Sequence, residues 1–181
     1  MAETSFQEVS ASILEEVRRA LSTVREEEAE ALRAALRQAS GAFVTGEGRS
    51  GLVGRCFAMR LMHLGLRAHV IGETTTPAVG ASDLLVAISG TGESEVTCGR
   101  ARLAASKGAR VAAITAARES ALARGAHLAL VIPAGAAGSE QYGGSAFEQA
   151  ALIAMEAIAF QLQRELERSA REMDERHATV E

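Results

Sequence analysis

Between Ala42 and Pro133 the chain alternates short apolar runs with stretches in which apolar residues recur every three or four positions. The runs read as strands over 42–46 (AFVTG), 67–72 (RAHVIG), 83–89 (DLLVAIS), 109–116 (ARVAAITA) and 127–133 (HLALVIP). Helical spacing covers 50–65 and 95–108, with a shorter helix over 118–126. Ahead of the first strand, Phe6, Val9, Ile13, Val17, Leu21, Val24, Leu32 and Leu36 keep helical steps over 5–38. A break falls near Ser22-Thr23, the charges of REEEAE (Arg25 to Glu30) read as a solvated face, and Ser40-Gly41 is a stop signal. After the last strand, a glycine-rich loop over 134–145 leads into a long helix from Ala146 to about Arg168. The polar tail over 169–181 is expected to fray.

Five apolar runs separated mainly by helices predict a parallel sheet covered on both faces, a doubly wound α/β sandwich. Ligands in such folds sit at the carboxyl ends of the strands. Two polar loops, 46–50 and 89–94, follow strands directly and are expected to meet at that edge. With no repeat and no linker, the chain reads as one domain over 1–181: a helical segment at 5–38, a core at 41–168, and the tail.

Composition removes several classes of function. Hydrophobic residues make up 48% of the 181 positions, enough for a full core, while aromatics are 3% with no Trp and one Tyr. Stacking surfaces for bases are therefore scarce, and a net charge of −4 without a dense basic tract argues against nucleic acid. No apolar stretch is long enough to span a bilayer. The first residues lack a basic segment followed by an apolar one, so a signal peptide is not expected and a cytoplasmic location is. Cys56 and Cys98 read as buried reduced thiols, and His63, His69, His127 and His177 are scattered without metal-ligand spacing.

The loop chemistry points to an anion. In ISGTGESE, Ser89, Thr91 and Ser94 surround Gly90 and Gly92 where a helix starts. Glycines expose backbone N–H groups, and a helix amino end favours negative charge. A helix cap needs one hydroxyl, whereas this loop has three and two glycines, which favours phosphate over capping alone. The loop is no Walker A sequence, and GEGRSG, although it has the GxGxxG spacing of the dinucleotide pattern, is by itself a weak signal for a dinucleotide. Its Ser50 offers a hydroxyl beside Gly48, and Arg49 reads equally as a ligand charge or a structural clamp. Glu148, one turn into the last helix, reads as a partner of the helix dipole or as a general base. Phe147 and the apolar run from Ala150 would desolvate it, which raises a carboxylate pKa toward the useful range.

The stretches GEGRSGLVGRCFAMRLMHLG, VIGETTTPAVGASDLLVAISGTGES and QYGGSAFEQ resemble the 6-phospho-3-hexuloisomerase family of the sugar isomerase (SIS) superfamily. The resemblance runs from about the first helix to Leu162. It implies a three-layer αβα sandwich with a five-stranded parallel, flavodoxin-like sheet, assembled as a homotetramer. It further implies interconversion of D-arabino-3-hexulose 6-phosphate and fructose 6-phosphate, in the ribulose monophosphate pathway of formaldehyde fixation, without metal or organic cofactor. Carried over to this chain, it implies substrate binding by Ser50 and by the loop Ser89-Gly90-Thr91-Gly92-Glu93-Ser94, and proton transfer by Glu148. His63 is a candidate for moving protons between sugar oxygens, though its place in a last helical turn equally suits the helix dipole. Glu73 is a candidate wall of the site from a neighbouring subunit. Two positions depart from the family pattern: Glu47 replaces an alanine, and Tyr142-Gly143 replaces Pro-Met or Pro-Leu. Other readings are an isomerase of arabinose 5-phosphate or a heptulose 7-phosphate, and a non-catalytic phosphosugar sensor. Ile153, Ile158, Phe160 and Leu162 exceed what one sheet face covers, so self-association is expected.

Overall fold

The computed structural model describes residues 5–135 and 139–179. Helices α1 (Phe6–Leu21) and α2 (Glu26–Gln38) precede strand β1 (Ala42–Gly46) and helix α3 (Gly48–His63). Then come β2 (Ala68–Val70), β3 (Leu84–Ile88), α4 (Glu95–Ser106), β4 (Arg110–Thr115), α5 (Ala121–Gly125) and β5 (Leu128–Val131). Helices α6 (Ser145–Glu165) and α7 (Ala170–Asp174) complete the described chain. The strands form one parallel sheet in the order β2-β1-β3-β4-β5, with Gly46 beside Ile88 and Ile88 beside Ile114.

Side-chain alternation along the strands divides the core. Ala42, Val44, Leu84, Val86, Ile88 and Ile114 face α1, α2, α3 and α6. Phe43, Leu85, Ala87, Val111 and Ala113 face α4 and α5. The central strand β3 is buried from end to end, which is why its sequence is continuously apolar rather than alternating. Chain direction reverses its walk across the sheet between β1 and β3, so the segments after these two neighbouring strands lie side by side.

Three expectations change. Ser169 and Glu172 form a reciprocal capping box that starts α7, so the tail holds a helix where fraying is expected. Glu28, within the acidic run, is no solvated charge: its carboxylate accepts the Val131 N–H at 2.9 Å and pairs with Arg118 at 2.6 Å. Cys98 is buried as expected but Cys56 is exposed. On α6, Ile158 and Leu162 enter the core while Ile153 and Phe160 stay exposed. Residues 136–138 of the glycine-rich loop, like 1–4 and 180–181, lie outside the described residues.

Candidate active site

The turn from β1 into α3 is set by close backbone approach. A Cβ on Gly51 would stand 2.5 Å from the Gly46 carbonyl oxygen, and one on Gly54 would stand 2.9 Å from Val44 Cγ1. Only glycine lets α3 lie this close to β1, and Gly48 adds a left-handed φ of 58°. Helix α3 therefore starts at Gly48, two residues ahead of the expected start, and Arg49 and Ser50 belong to its first turn. The amides of Gly48, Arg49 and Ser50 have no acceptor among the described residues, and neither do those of Gly90 and Thr91.

These groups border a cleft of about 440 Å3. Ser50, Gly90, Thr91, Ala116, Ala117 and Pro133–Gly135 line it from the ends of β1, β3, β4 and β5, and Gly143, Gly144, Phe147 and Glu148 close it from α6. Gly90 is tightly fitted: a Cβ there would stand 3.0 Å from Phe147 Cδ1. The Glu148 side chain is 12% exposed and pairs with Arg49, whose own side chain is 63% exposed. One wall thus carries free N–H donors and small hydroxyls, and the other a largely desolvated carboxylate beside a guanidinium. The first suits a phosphate, the second a proton transfer with charge development.

A larger groove, about 690 Å3, lies between α1 and the segment after β5. Glu8, Glu16 and Glu140 border it against the single cation Arg19, a balance that repels an anion. The smaller cleft is the better phosphate site.

The expected site residues fall into three groups. Ser50, Gly90, Thr91 and Glu148 come together at the cleft, Arg49 joins them through its pair with Glu148, and Gly48 precedes them in the first turn of α3. Ser89, Gly92, Glu93 and Ser94 turn largely to structural work behind it. Ser89 Oγ accepts the Gly92 N–H at 3.1 Å, Glu93 Oε1 accepts the Ala121 N–H at 2.8 Å, and Ser94 caps α4 through the Thr97 N–H. Gly92 abuts Ser120 and Thr115 so closely that no side chain fits. The remaining two lie elsewhere in the chain. Glu73 pairs with Arg55 at 2.9 Å beside the edge strand β2. His63 is buried at the far end of α3, stacked on His177 at 5.1 Å between ring centroids. Thirteen residues of helix put it about 20 Å from Ser50 along the axis. It therefore does not reach the cleft of its own chain.

Sequence reading missed Ala116 and Ala117, although AARE follows β4 as directly as SGTG follows β3. Small residues after a third strand of the same sheet were the available signal. Glu47 also finds its place: it leaves the α3 amide groups uncapped and pairs with Arg100 on α4.

The SIS domain model matches residues 35–160, which holds both loops, the sheet and the start of α6. This chain belongs to the SIS domain family. Within it, the chain groups with the 3-hexulose-6-phosphate isomerases. The Mycobacterium gastri protein of that name is 46% identical over 77% of this chain and 73% of its own. The one from Bacillus subtilis is 34% identical over 96% and 98%. A Methanococcus jannaschii crystal structure, from which that molecular function was inferred, is 31% identical with a TM-score of 0.82. The match covers 96% of this chain and 97% of that one.

Proposed function

We propose that this SIS domain is a 3-hexulose-6-phosphate isomerase, interconverting D-arabino-3-hexulose 6-phosphate and fructose 6-phosphate. The observation that carries the reading is Glu148, a desolvated carboxylate facing the cleft that also holds Ser50, Thr91 and the free amides. The named relatives, at up to 46% identity, supply the substrate.

The carbonyl moves from C3 to C2 when the C2 proton leaves, a cis-enediolate forms, and a proton returns at C3. Glu148 takes and returns that proton on one face of the sugar. Arg49, already against Glu148, stabilises the negative charge that grows on the enediolate oxygens. Ser50, Thr91 and the amides of Ser50, Gly90 and Thr91 hold the phosphate, which keeps C2 and C3 in register with the carboxylate. His63 takes no part within one chain, so proton exchange between O2 and O3 runs through Glu148 or through water. The reaction belongs with formaldehyde fixation through ribulose monophosphate, and the cytoplasm is where such phosphosugars are made and consumed. We further propose a homo-oligomer, a tetramer as the family resemblance implies, assembled through exposed apolar residues of α3 and α6.

The test is fructose 6-phosphate incubated with the protein in D2O and followed by proton NMR. Appearance of the 3-hexulose with deuterium entering at C2 and C3 is expected, and Glu148→Gln lowers the rate about a hundredfold or more. Binding without exchange would replace this reading with the sensor, and conversion of arabinose 5-phosphate or a heptulose 7-phosphate instead would replace the sugar.

A further inference from the structure

We infer that Arg100, on α4 and outside the cleft, is a positioning residue that holds the Glu47 carboxylate away from the amino end of α3. The inference rests on the phosphosugar reading of the cleft and concerns how that phosphate wins its site.

Glu47 is the residue that caps α3: its backbone is extended, at φ −104° and ψ 150°, and the helix starts one residue later. A side chain at this position that reaches back accepts the amides two and three residues on, here those of Arg49 and Ser50, as Ser, Thr, Asp and Asn do most readily and a longer carboxylate can. It is also drawn there by the positive end of the helix dipole. Glu47 does neither, since no side-chain capping bond forms at α3. Its Oε1 pairs with Arg100 Nη1 across the gap to α4. The same Nη1 donates to Thr45 Oγ1 at 3.0 Å, and Thr45 is a buried residue near the end of β1. That second bond fixes the guanidinium, so the carboxylate has a defined place to go.

Two consequences follow for the site. The Arg49 and Ser50 amides stay available for a ligand instead of being taken up internally. A negative charge that would otherwise stand within one helical turn of the phosphate is neutralised and drawn aside. Without Arg100, Glu47 becomes an internal competitor of the substrate's phosphate for the same N–H donors.

This predicts rescue of one substitution by another. With the full chain and D-arabino-3-hexulose 6-phosphate, R100A raises KM about fivefold or more, with a smaller change in kcat. E47A stays close to wild type, and E47A/R100A returns KM to within about twofold of wild type, because the competitor is gone. A merely structural role for Arg100 would leave the double variant as impaired as R100A. R100A with unchanged KM, or a double variant no better than R100A, overturns the inference. Melting temperatures accompany each variant, and R100Q takes the same test if R100A does not fold. Titration with inorganic phosphate, read from the Ser50 and Thr91 amide resonances, keeps the two readings apart. If wild-type protein turns over no sugar, the isomerase reading fails, while the order of phosphate affinities across the same variants still decides the role of Arg100.

Discussion

Arg49 and Glu148 differ in exposure, and the difference separates their effects on stability from those on turnover. The Arg49 side chain is 63% exposed and Glu148, though 12% exposed, lines a cleft that water can enter, so breaking the pair costs little folding free energy. The place of Arg49 beside the proposed base gives it leverage on the reaction. Arg49→Met is expected to lower kcat/KM about tenfold to a hundredfold while the melting temperature moves by no more than about two degrees. Steady-state kinetics alongside calorimetry check this, and a large loss of stability with normal turnover would make Arg49 the structural clamp. At this scale the sequence displays residue types but not directions. The hydroxyls of SGTGES were legible as possible ligand contacts, yet the Ser89 and Ser94 oxygens accept the Gly92 and Thr97 N–H groups. Only the fold decides which face of a turn is wet.

Elements were more legible than their uses. Continuous apolar runs marked all five strands because burial on both faces leaves no polar alternation to read. Helix α7 was missed, although Ser169-Ala-Arg-Glu172 is a capping-box spacing, because five residues carry too little periodicity to register. The same box gives a pH response. The Ser169 backbone N–H and then its hydroxyl donate to Glu172 and hold its pKa below the usual glutamate value near 4.5. A lowered carboxylate pKa stabilises the capped form above that usual value, and the contribution disappears as pH falls through the lowered pKa. The protection factors of the α7 amides, taken relative to the intrinsic exchange rate at each pH, are therefore expected to fall as pH drops below about 4.5, ahead of those in β4. Equal protection across the titration would mean that α7 is held by its packing on α3 instead.

At the scale of the molecule, proximity in a motif misled where proximity in space was needed. His63 and Ser50 share one quoted stretch, but a helix carries its ends to opposite edges of the sheet. Leu52 and Met59 of α3, and Ile153 and Phe160 of α6, are exposed apolar residues, each pair seven apart along its helix, on two helices that pack together. Replacing Met59 and Phe160 together by Glu is expected to shift sedimentation toward the monomer with the fold retained, as circular dichroism would report. A wild-type protein that sediments as a monomer at micromolar concentration would remove the oligomer from the proposal.

The docking of α1 and α2 bears on how the chain acquires its shape during synthesis. Glu28 waits for Val131, 103 residues later, and Arg33 for Gln161, 128 residues later. Leu32 and Leu36 share their core cluster with Ala159 and Leu162 of α6. A ribosome releasing the amino end first therefore extrudes helices whose apolar stripes are only partly covered, by the sheet, until α6 has emerged. Closure of the domain is a late event that joins the first elements made to the last, and a chain that stops short of Leu162 leaves that early surface open to any passing hydrophobic partner.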